Sequence, residues 1–574
     1  MTDPRGAVTD YQGLARRFNL PATLAEILWQ RGFSTEQEVE HFLYPDFSCL
    51  PRPEMMAGMA EAVGCIARAH EAGREIIIHG DYDVDGITAT VLLVRFFSLL
   101  GISSHYYLPN RLTERYGLTV ESVEAIRRQF PGDQQLLITV DCGVTACEAV
   151  EHARDHGFEV VITDHHEPAE QLPRANALLN PKQGGCSFPF KQLSGVGVAF
   201  FLVAALRRHF IELGLWSKQS EIPNLRQYLD LVALGTIADV MPLVATNRIL
   251  VRAGLEVLNQ RQRVGLRALM EQCNIHPRDR MVPEDVSYKL APRLNAAGRM
   301  GKAEVGVELF LCSDQHRARQ LAGDLEGFNR QRKQLEQDVL TEVFAECATR
   351  RADGAQGLAI YHPSCHPGIL GIVASRVVDR FSCPAIVVTR ESEADGSVIF
   401  KGSGRSVRGF NLHRKVSSCR DCLKNFGGHP MAIGLSLDPE RWPDFVLAFE
   451  AGCDQEPALV PAAETAEEYC LQQDQEIFSD EFLSKLQLFQ PFGEGNPEPL
   501  FLLRAQRLNK LKDIRGHLKF SLSRDTGPSL PGIGFFLGEK IDQAQQGPVD
   551  LVFKLKRSFF RGVQRKEIQM IAMR

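Results

Sequence analysis

The 574 residues carry 44% hydrophobic and 24% charged side chains, with a formal net charge of −6 at pH 7. That balance excludes a fibrous, collagen-like or wholly disordered chain, and at roughly 100–200 residues per domain it leaves room for three or four domains. The longest apolar run, Gly195 to Leu206, stops at Arg207 and Arg208, short of the roughly 18 residues that a membrane span needs.

The N-terminal MTDPRGAVTD has no apolar signal-peptide core, and the 14 Cys are scattered without a framework. A soluble, cytoplasmic protein with free thiols is the expectation. Residues 1–50 predict short helices, ending at the Pro-rich LYPDFSCLPRPEMM. From there to about Leu250, in a first lobe expected to span 51–300, apolar runs alternate with helical stretches. The runs are Glu75–Ile78, Gln135–Val140 and Glu159–Thr163; the amphipathic segments between them are Thr88–Leu100, Val120–Gln129 and Thr145–His156. This alternation predicts a parallel sheet covered on both faces.

Residues 301–352 are rich in Leu, Glu, Gln, Arg and Lys, with no Pro after residue 302, and predict a long connecting helix. A second, smaller α/β lobe is expected over 353–455, containing LAIYH and AIVVT. Residues 456–574 begin with a linker-like stretch, Glu456–Gln475, and continue with β-type runs such as HLKFSLSR, GIGFFLG, VDLVFKLKRSFF and EIQMIAM. A small β-barrel of OB type is the expectation there. The fold class is thus α/β, two lobes joined by a helix, with a C-terminal barrel.

Charge is unevenly spread. Phe501–Arg574 holds 15 Lys+Arg against 6 Asp+Glu, so the first 500 residues hold 50 against 65. Lys401–Pro430 is a further basic island, with 7 Lys+Arg against 1 Asp. Such a division suits cations held in one place and a polyanion in another, although either island alone can be a solvated face.

Each early strand runs into acid or imidazole. The first ends in His79, Asp81, Asp83 and Asp85; the second in Asp141; the third in Asp164, His165 and His166; and Asp239 follows the apolar LVALGTIA. Strand C-termini of an open parallel sheet converge on one crevice. Carboxylates gathered there repel each other and lose solvation, and divalent cations remove both penalties. Carboxylate with imidazole suits Mn²⁺ or Mg²⁺ better than a thiolate-type zinc site. Two readings of DYDVDG fail: an EF-hand needs Glu where Leu92 stands, and the DxDGT nucleophile loop of haloacid-dehalogenase phosphatases needs Thr where Ile87 stands. The Cys419–Cys422 pair has no second half and reads as thiols.

His79, Asp83 and Asp85, then Asp141, then Asp164-His165-His166, then Asp239 form an ordered set that resembles the DHH phosphoesterases. The segments HGDYDVDG, LPNRLTERYGL, TDHHEP, LGTIADVMPL, RLNAAGRM, HPGILGIVASR, KGSGRS, GGHPMAIG and FGEGNP extend the likeness from about residue 75 to 500. They point to the superfamily branch that degrades single-stranded DNA from its 5′ end; Arg115 stands where that branch has Gly. The resemblance implies two Mn²⁺ or Mg²⁺ ions held by His79, Asp83, Asp85, Asp141, His165 and Asp239, with Asp141 bridging. It implies that Asp81 coordinates or orients His79 and that His166 faces the scissile phosphate. Arg111, Ser403 and Arg405 become readers of the 5′-phosphate, with Arg111 in the first lobe by sequence. Arg293, Asn295, Arg299, Gly427, Gly428 and His429 become further phosphate contacts. A monomer working with a single-strand-binding protein and a helicase is also implied. The main alternative is a DHH enzyme for small substrates (nanoRNA, a cyclic dinucleotide or pyrophosphate), which has no use for the basic C-terminal domain. A non-enzymatic single-strand-binding protein would leave the acidic crevice unexplained.

Overall fold

The computed structural model describes residues 10–392, 396–453, 468–470, 477–524, 528–560 and 563–574. The chain divides into two compact units, the first made of 1–107, 117–291 and 466–574, the second of 108–116 and 292–465.

The first unit contains a parallel sheet of β1 (Ile76–Gly80), β2 (Ser104–Tyr107), β3 (Leu136–Val140), β4 (Glu159–Thr163) and β5 (Ala177–Leu179), in the order β2-β1-β3-β4-β5. Every residue of β1 and β3 is buried, because helices cover both faces. The register pairs Gly80 with Val140 and Val140 with Thr163. Three strands therefore end level, and the residues just beyond them, Asp81, Asp141 and Asp164, come side by side. Asp239 arrives differently: LVALGTIA is a helix, Leu229–Ala238, buried on all sides, and Asp239 caps its C-terminus.

In the second unit β6 (Leu358–Tyr361), β7 (Ala385–Ser392), β8 (Val398–Arg405), β9 (Asn425–His429) and β10 (Ala432–Leu437) form a mixed sheet in the order β6-β7-β8-β10-β9. The long helix is present as Gln315–Ala352, 38 residues, opened by Asp314, whose side chain accepts from the Arg317 amide. It is more than a spacer, since Val339, Val343 and Cys347 lie in one apolar core with Leu358, Val373 and Val377.

The remaining strands belong to the first unit: β11 (Glu468–Cys470), β12 (Leu500–Gln506), β13 (Leu508–Ile514), β14 (His517–Leu522), β15 (Leu530–Gly534), β16 (Val549–Phe560) and β17 (Val563–Met573). They form one sheet in the order β11-β12-β16-β17-β15-β14-β13. Apart from β11, the Glu456–Gln475 stretch lies outside the described residues. The N-terminal helices Tyr11–Phe18, Ala22–Gln30 and Glu36–Leu43 share an apolar core with this sheet, through Leu14, Leu24, Leu28 and Phe42 against Phe482, Phe489, Phe501 and Phe553. Arg248 ties this assembly to the helix Ala245–Gln260. It is buried, donates to the carbonyls of Phe42, Leu488 and Phe489 at 2.8–3.0 Å, and lies 3.9 Å over the Phe42 ring. Among the described residues no helix is long and apolar enough to cross a membrane, and Gly195–Glu212, which holds the longest apolar run, is a buried helix of the first unit.

Candidate metal centre

The level strand ends bring His79, Asp81, Asp85, Asp141, Asp164 and His165 into one buried group. Asp83 caps the helix Val84–Leu99, its side chain accepting from the amides of Asp85 and Gly86. Asp85 then projects from the first turn and is gripped by the opening amides of the helix Gly195–Glu212: Gly195 N lies 2.6 Å from Oδ2 and Val196 N 2.9 Å from Oδ1. Glycine is required at that approach, because a Cβ at Gly195 would stand 2.7 Å from Asp141 Oδ1. The same holds at Gly235, where a Cβ would stand 2.5 Å from Asp85 Oδ1.

His165 Nε2 sits 3.0 Å from Asp141 Oδ1, 3.5 Å from Asp239 Oδ2 and 3.9 Å from Asp85 Oδ2. Potential ligand atoms gather within 4.8 Å of one another in three overlapping groups: Asp81, Asp83 and Asp141; Asp85, His165 and Asp239; Asp141, His165 and His166. Yet His79 Nε2, His165 Nε2, Asp141 Oδ1 and Asp239 Oδ2 are buried without a hydrogen-bond partner. Buried polar atoms left in that state are costly. Atoms that converge at short distances but do not aim at each other are arranged for a shared cation, and the donor set of carboxylates and imidazoles fits Mn²⁺ or Mg²⁺.

The electrostatics agree. Burial, then the charges of Asp85, Asp83, Asp81 and Asp239, pushes the Asp141 carboxyl well above the usual range. Asp239 is pushed up to about 9 and Asp85 to about 7, each mainly by burial and then by neighbouring carboxylates. Burial lowers His79 to about 4 and His165 to about 3. A protein that buries acids which resist ionisation beside imidazoles which resist protonation has left positive charge to be supplied from outside.

His166 is the exception. Burial works against its charge, but the Asp164 carboxylate outweighs it and raises His166 to about 9. Asp164 is itself buried, which opposes ionisation, yet its hydrogen bonds with His166 and Val144 hold it below the ordinary carboxylate value. Asp164 Oδ1 accepts from the amides of His165 and His166 and lies 2.8 Å from His166 Nδ1, while Oδ2 accepts from Val144 N. Its part in organising the site was visible only as the first letter of the DHH triplet. Cys142, whose Sγ lies 3.5 Å from His79 Nδ1, and the Gly195–Val196 amides were not expected from sequence at all.

The expected phosphate readers lie in the second unit. Residues 108–116, Arg111 among them, pack in this unit although their chain neighbours on both sides belong to the first. Arg405 Nη1 donates to Ser403 Oγ at 3.0 Å and to Gly404 O at 2.8 Å. Burial, and then the neighbouring Arg111 charge, holds the Arg405 guanidinium below its usual pKa. Two guanidiniums and a hydroxyl are thus brought together, a combination suited to an anion. Arg293 is held by Glu326, Nε to Oε2 at 2.6 Å, and Arg299 donates to Gly368 O at 3.1 Å. Asn295 lies between them on the helix Ala291–Arg299. Gly427, Gly428 and His429 form the exposed end of edge strand β9. Cys419 and Cys422 are unpaired thiols.

Residues 75–236 match the DHH family, N-terminal domain; residues 354–453 match the DHHA1 domain and residues 472–572 the RecJ OB domain. The single-stranded-DNA-specific exonuclease RecJ of Dickeya dadantii is 38% identical over 571 residues, covering 96% of both chains. The protein of that name from Escherichia coli is 37% identical over 568 residues, covering 95% of this chain and 94% of the relative. The fold is similar to the crystal structure of RecJ in complex with Mn²⁺ from Thermus thermophilus, with TM-score 0.80 and 30% identity, covering 99% of this chain and 78% of that one. A Mg²⁺ complex from the same source gives TM-score 0.72 at 28% identity, covering 99% of this chain and 77% of that one. The chain belongs to the RecJ family of single-stranded-DNA-specific exonucleases.

Proposed function

We propose that this chain hydrolyses single-stranded DNA from the 5′ end and releases 5′-mononucleotides, as a cytoplasmic monomer in DNA repair and recombination. The observation that carries the reading is the buried set of partnerless ligand atoms on His79, Asp141, His165 and Asp239. With Asp83 and Asp85 they would hold two Mn²⁺ or Mg²⁺ ions, Asp141 serving both and Asp81 supporting the set. Bound there, such ions supply Lewis acidity toward phosphate oxygens and toward water.

The protein's own groups do the rest. Asp164 keeps His166 protonated, and the partly exposed ring can donate to a phosphate oxygen as charge builds on it. Arg111, Ser403 and Arg405 would bind the terminal 5′-phosphomonoester, which carries more charge and more free oxygens than a diester. Arg293, Asn295, Arg299, Gly427, Gly428 and His429 would contact phosphates further along the strand, and the basic C-terminal sheet would follow its backbone. We divide the chain accordingly into 1–50, a catalytic domain 51–300, a helix 301–352, a substrate-binding domain 353–455 and an OB-type domain 456–574. A single-strand-binding protein and a helicase would deliver the substrate.

The test is Mn²⁺-dependent cleavage of 5′-labelled and 3′-labelled single strands beside duplex DNA, pyrophosphate and a cyclic dinucleotide. Labelled mononucleotide released at once from the 5′-labelled single strand alone is expected. Turnover of only the small substrates would overturn the reading.

A further inference from the structure

The helices Val120–Gln129 and Cys147–Asp155 lie side by side on one face of the first sheet. Val123, Ile126, Ala149, Val150 and Ala153 bury their inner sides against Leu137, Val160 and Ile162. The outer sides bring together Glu124, His152 and His156. His152 lies in the last turn of Cys147–Asp155 and His156 caps its C-terminus, with ring centroids 4.3 Å apart. Glu124 comes from the neighbouring helix, its Oε1 2.7 Å from His152 Nε2. One donor atom from each of the three lies within 4.8 Å of the other two. The cluster lies toward the end of the sheet opposite the carboxylates, because Cys147–Asp155 runs back from the end of β3 to the start of β4.

The hydrogen bonding of His156 leaves one ring nitrogen available. His156 Nδ1 lies 2.8 Å from the His152 carbonyl. A carbonyl only accepts, so Nδ1 carries the hydrogen and Nε2 carries the lone pair. Metal-bound histidines are fixed in this way, one nitrogen donating to a backbone carbonyl while the other coordinates. Glu124 is similarly set: Arg127 Nη1 reaches both of its oxygens, at 2.9 and 3.1 Å.

We propose that Glu124, His152 and His156 form a second metal site, separate from the catalytic centre, which takes Zn²⁺. Two imidazoles and one carboxylate are a zinc-type donor set, with water completing the shell. Mg²⁺, which prefers oxygen ligands and dehydrates reluctantly, is poorly suited to it. On binding, His152 presents Nε2 with its hydrogen moved to Nδ1, and Glu124 keeps one oxygen for Arg127. The ion ties two helices together, so its effect falls on stability rather than on hydrolysis. The competing reading is an ordinary surface ion pair beside an exposed histidine, without affinity for metal.

Full-length chain is dialysed against micromolar Zn²⁺ in millimolar Mg²⁺, and retained zinc is counted by elemental analysis. The His152→Ala/His156→Ala variant is expected to hold one zinc fewer per chain than wild type. The same difference is expected in an Asp141→Asn/His165→Ala background, where catalytic-centre zinc is removed from the count. Glu124→Gln, which keeps the hydrogen bonding but loses the charge, is expected to weaken the site about tenfold or more. Zn²⁺ should raise the melting temperature of wild type more than that of the His152/His156 variant, with Mg²⁺-supported nuclease activity unchanged by that substitution. Melting in chelator shows that each variant is folded. Equal zinc retention with and without the two histidines would overturn the proposal.

Discussion

His166 Nδ1 lies 2.8 Å from Asp164 Oδ1, and Asp164 in turn is anchored by the amides of Val144, His165 and His166. The pair is a positioned cation beside a group of carboxylates that burial keeps from ionising. In the proposed reaction its value would lie in the transition state, where phosphate charge grows. Asp164→Asn and His166→Ala are each expected to lower kcat about ten- to a hundredfold, the cost of a charge-assisted contact of about 1.5–3 kcal/mol, with little change in KM. Because the two act as one device, the double variant should lose scarcely more than the worse single one. Fully additive losses in that cycle would separate their roles.

The metal-free protein should lose stability as pH rises from about 6.5 to 9. Asp239 and Asp85 have folded pKa values of about 9 and about 7, above the unfolded carboxylate value, and His166 at about 9 lies above the unfolded imidazole value. Each binds more protons folded than unfolded, so its contribution is lost as pH climbs through the folded value. His79 and His165, at about 4 and about 3, act the other way, but only below the unfolded imidazole value. In the alkaline window the slope is bounded by about 1.4 kcal/mol per pH unit for each group. Mn²⁺ should counter it, so the metal-induced rise in melting temperature should be larger at pH 8.5 than at 6.5. A metal effect independent of pH would count against carboxylate ligation.

Burial, and then the Arg111 charge, disfavours the charge on Arg405, a penalty that a bound dianion relieves. Arg405→Ala is expected to lower kcat/KM on 5′-phosphorylated strands roughly ten- to a hundredfold more than on 5′-hydroxyl strands. Equal losses on both substrates would make Arg405 a structural residue or a general backbone contact.

On the C-terminal sheet Lys512 of β13 is paired across the ladder with Lys519 of β14, and both are exposed. Like charges placed directly opposite are unfavourable unless something anionic lies over them. Replacing both with Ala should leave folding intact and reduce the slope of log affinity against log salt by about 0.7 per lost phosphate contact. An unchanged slope would make this a solvated face. Substitution tests the surface better than truncation: removing the segment would strip Arg248 of the Leu488 and Phe489 carbonyls and expose the core shared with the N-terminal helices.

The catalytic sheet was legible because apolar β-branched runs that end in Asp or His leave few alternatives, and β1, β3 and β4 match them within a residue or two. The meeting of Asp81, Asp141 and Asp164 was legible for the same reason: strands that end level place their next residues together. Tertiary relationships were not. Nothing local places Arg111 beside Arg405, seats Leu14 against the C-terminal sheet, or sends the Gly195 amide to Asp85. GIGFFLG reads as one strand, but β15 ends at Gly534 and Phe536 turns out with φ 58°. A run of strand-forming residues carries no record of where its partner strand stops.

The measurement that bears most directly on the whole account is hydrolysis of a 5′-phosphorylated single strand by Asp141→Asn in saturating Mn²⁺, with strand binding followed on the same samples. Asp141 stands in two of the three ligand groups. Its loss should therefore cost more than the roughly 10²–10³ that removal of one charge-stabilising donor costs, while affinity for the strand persists. Hydrolysis near the wild-type rate would contradict the metal centre on which the account rests.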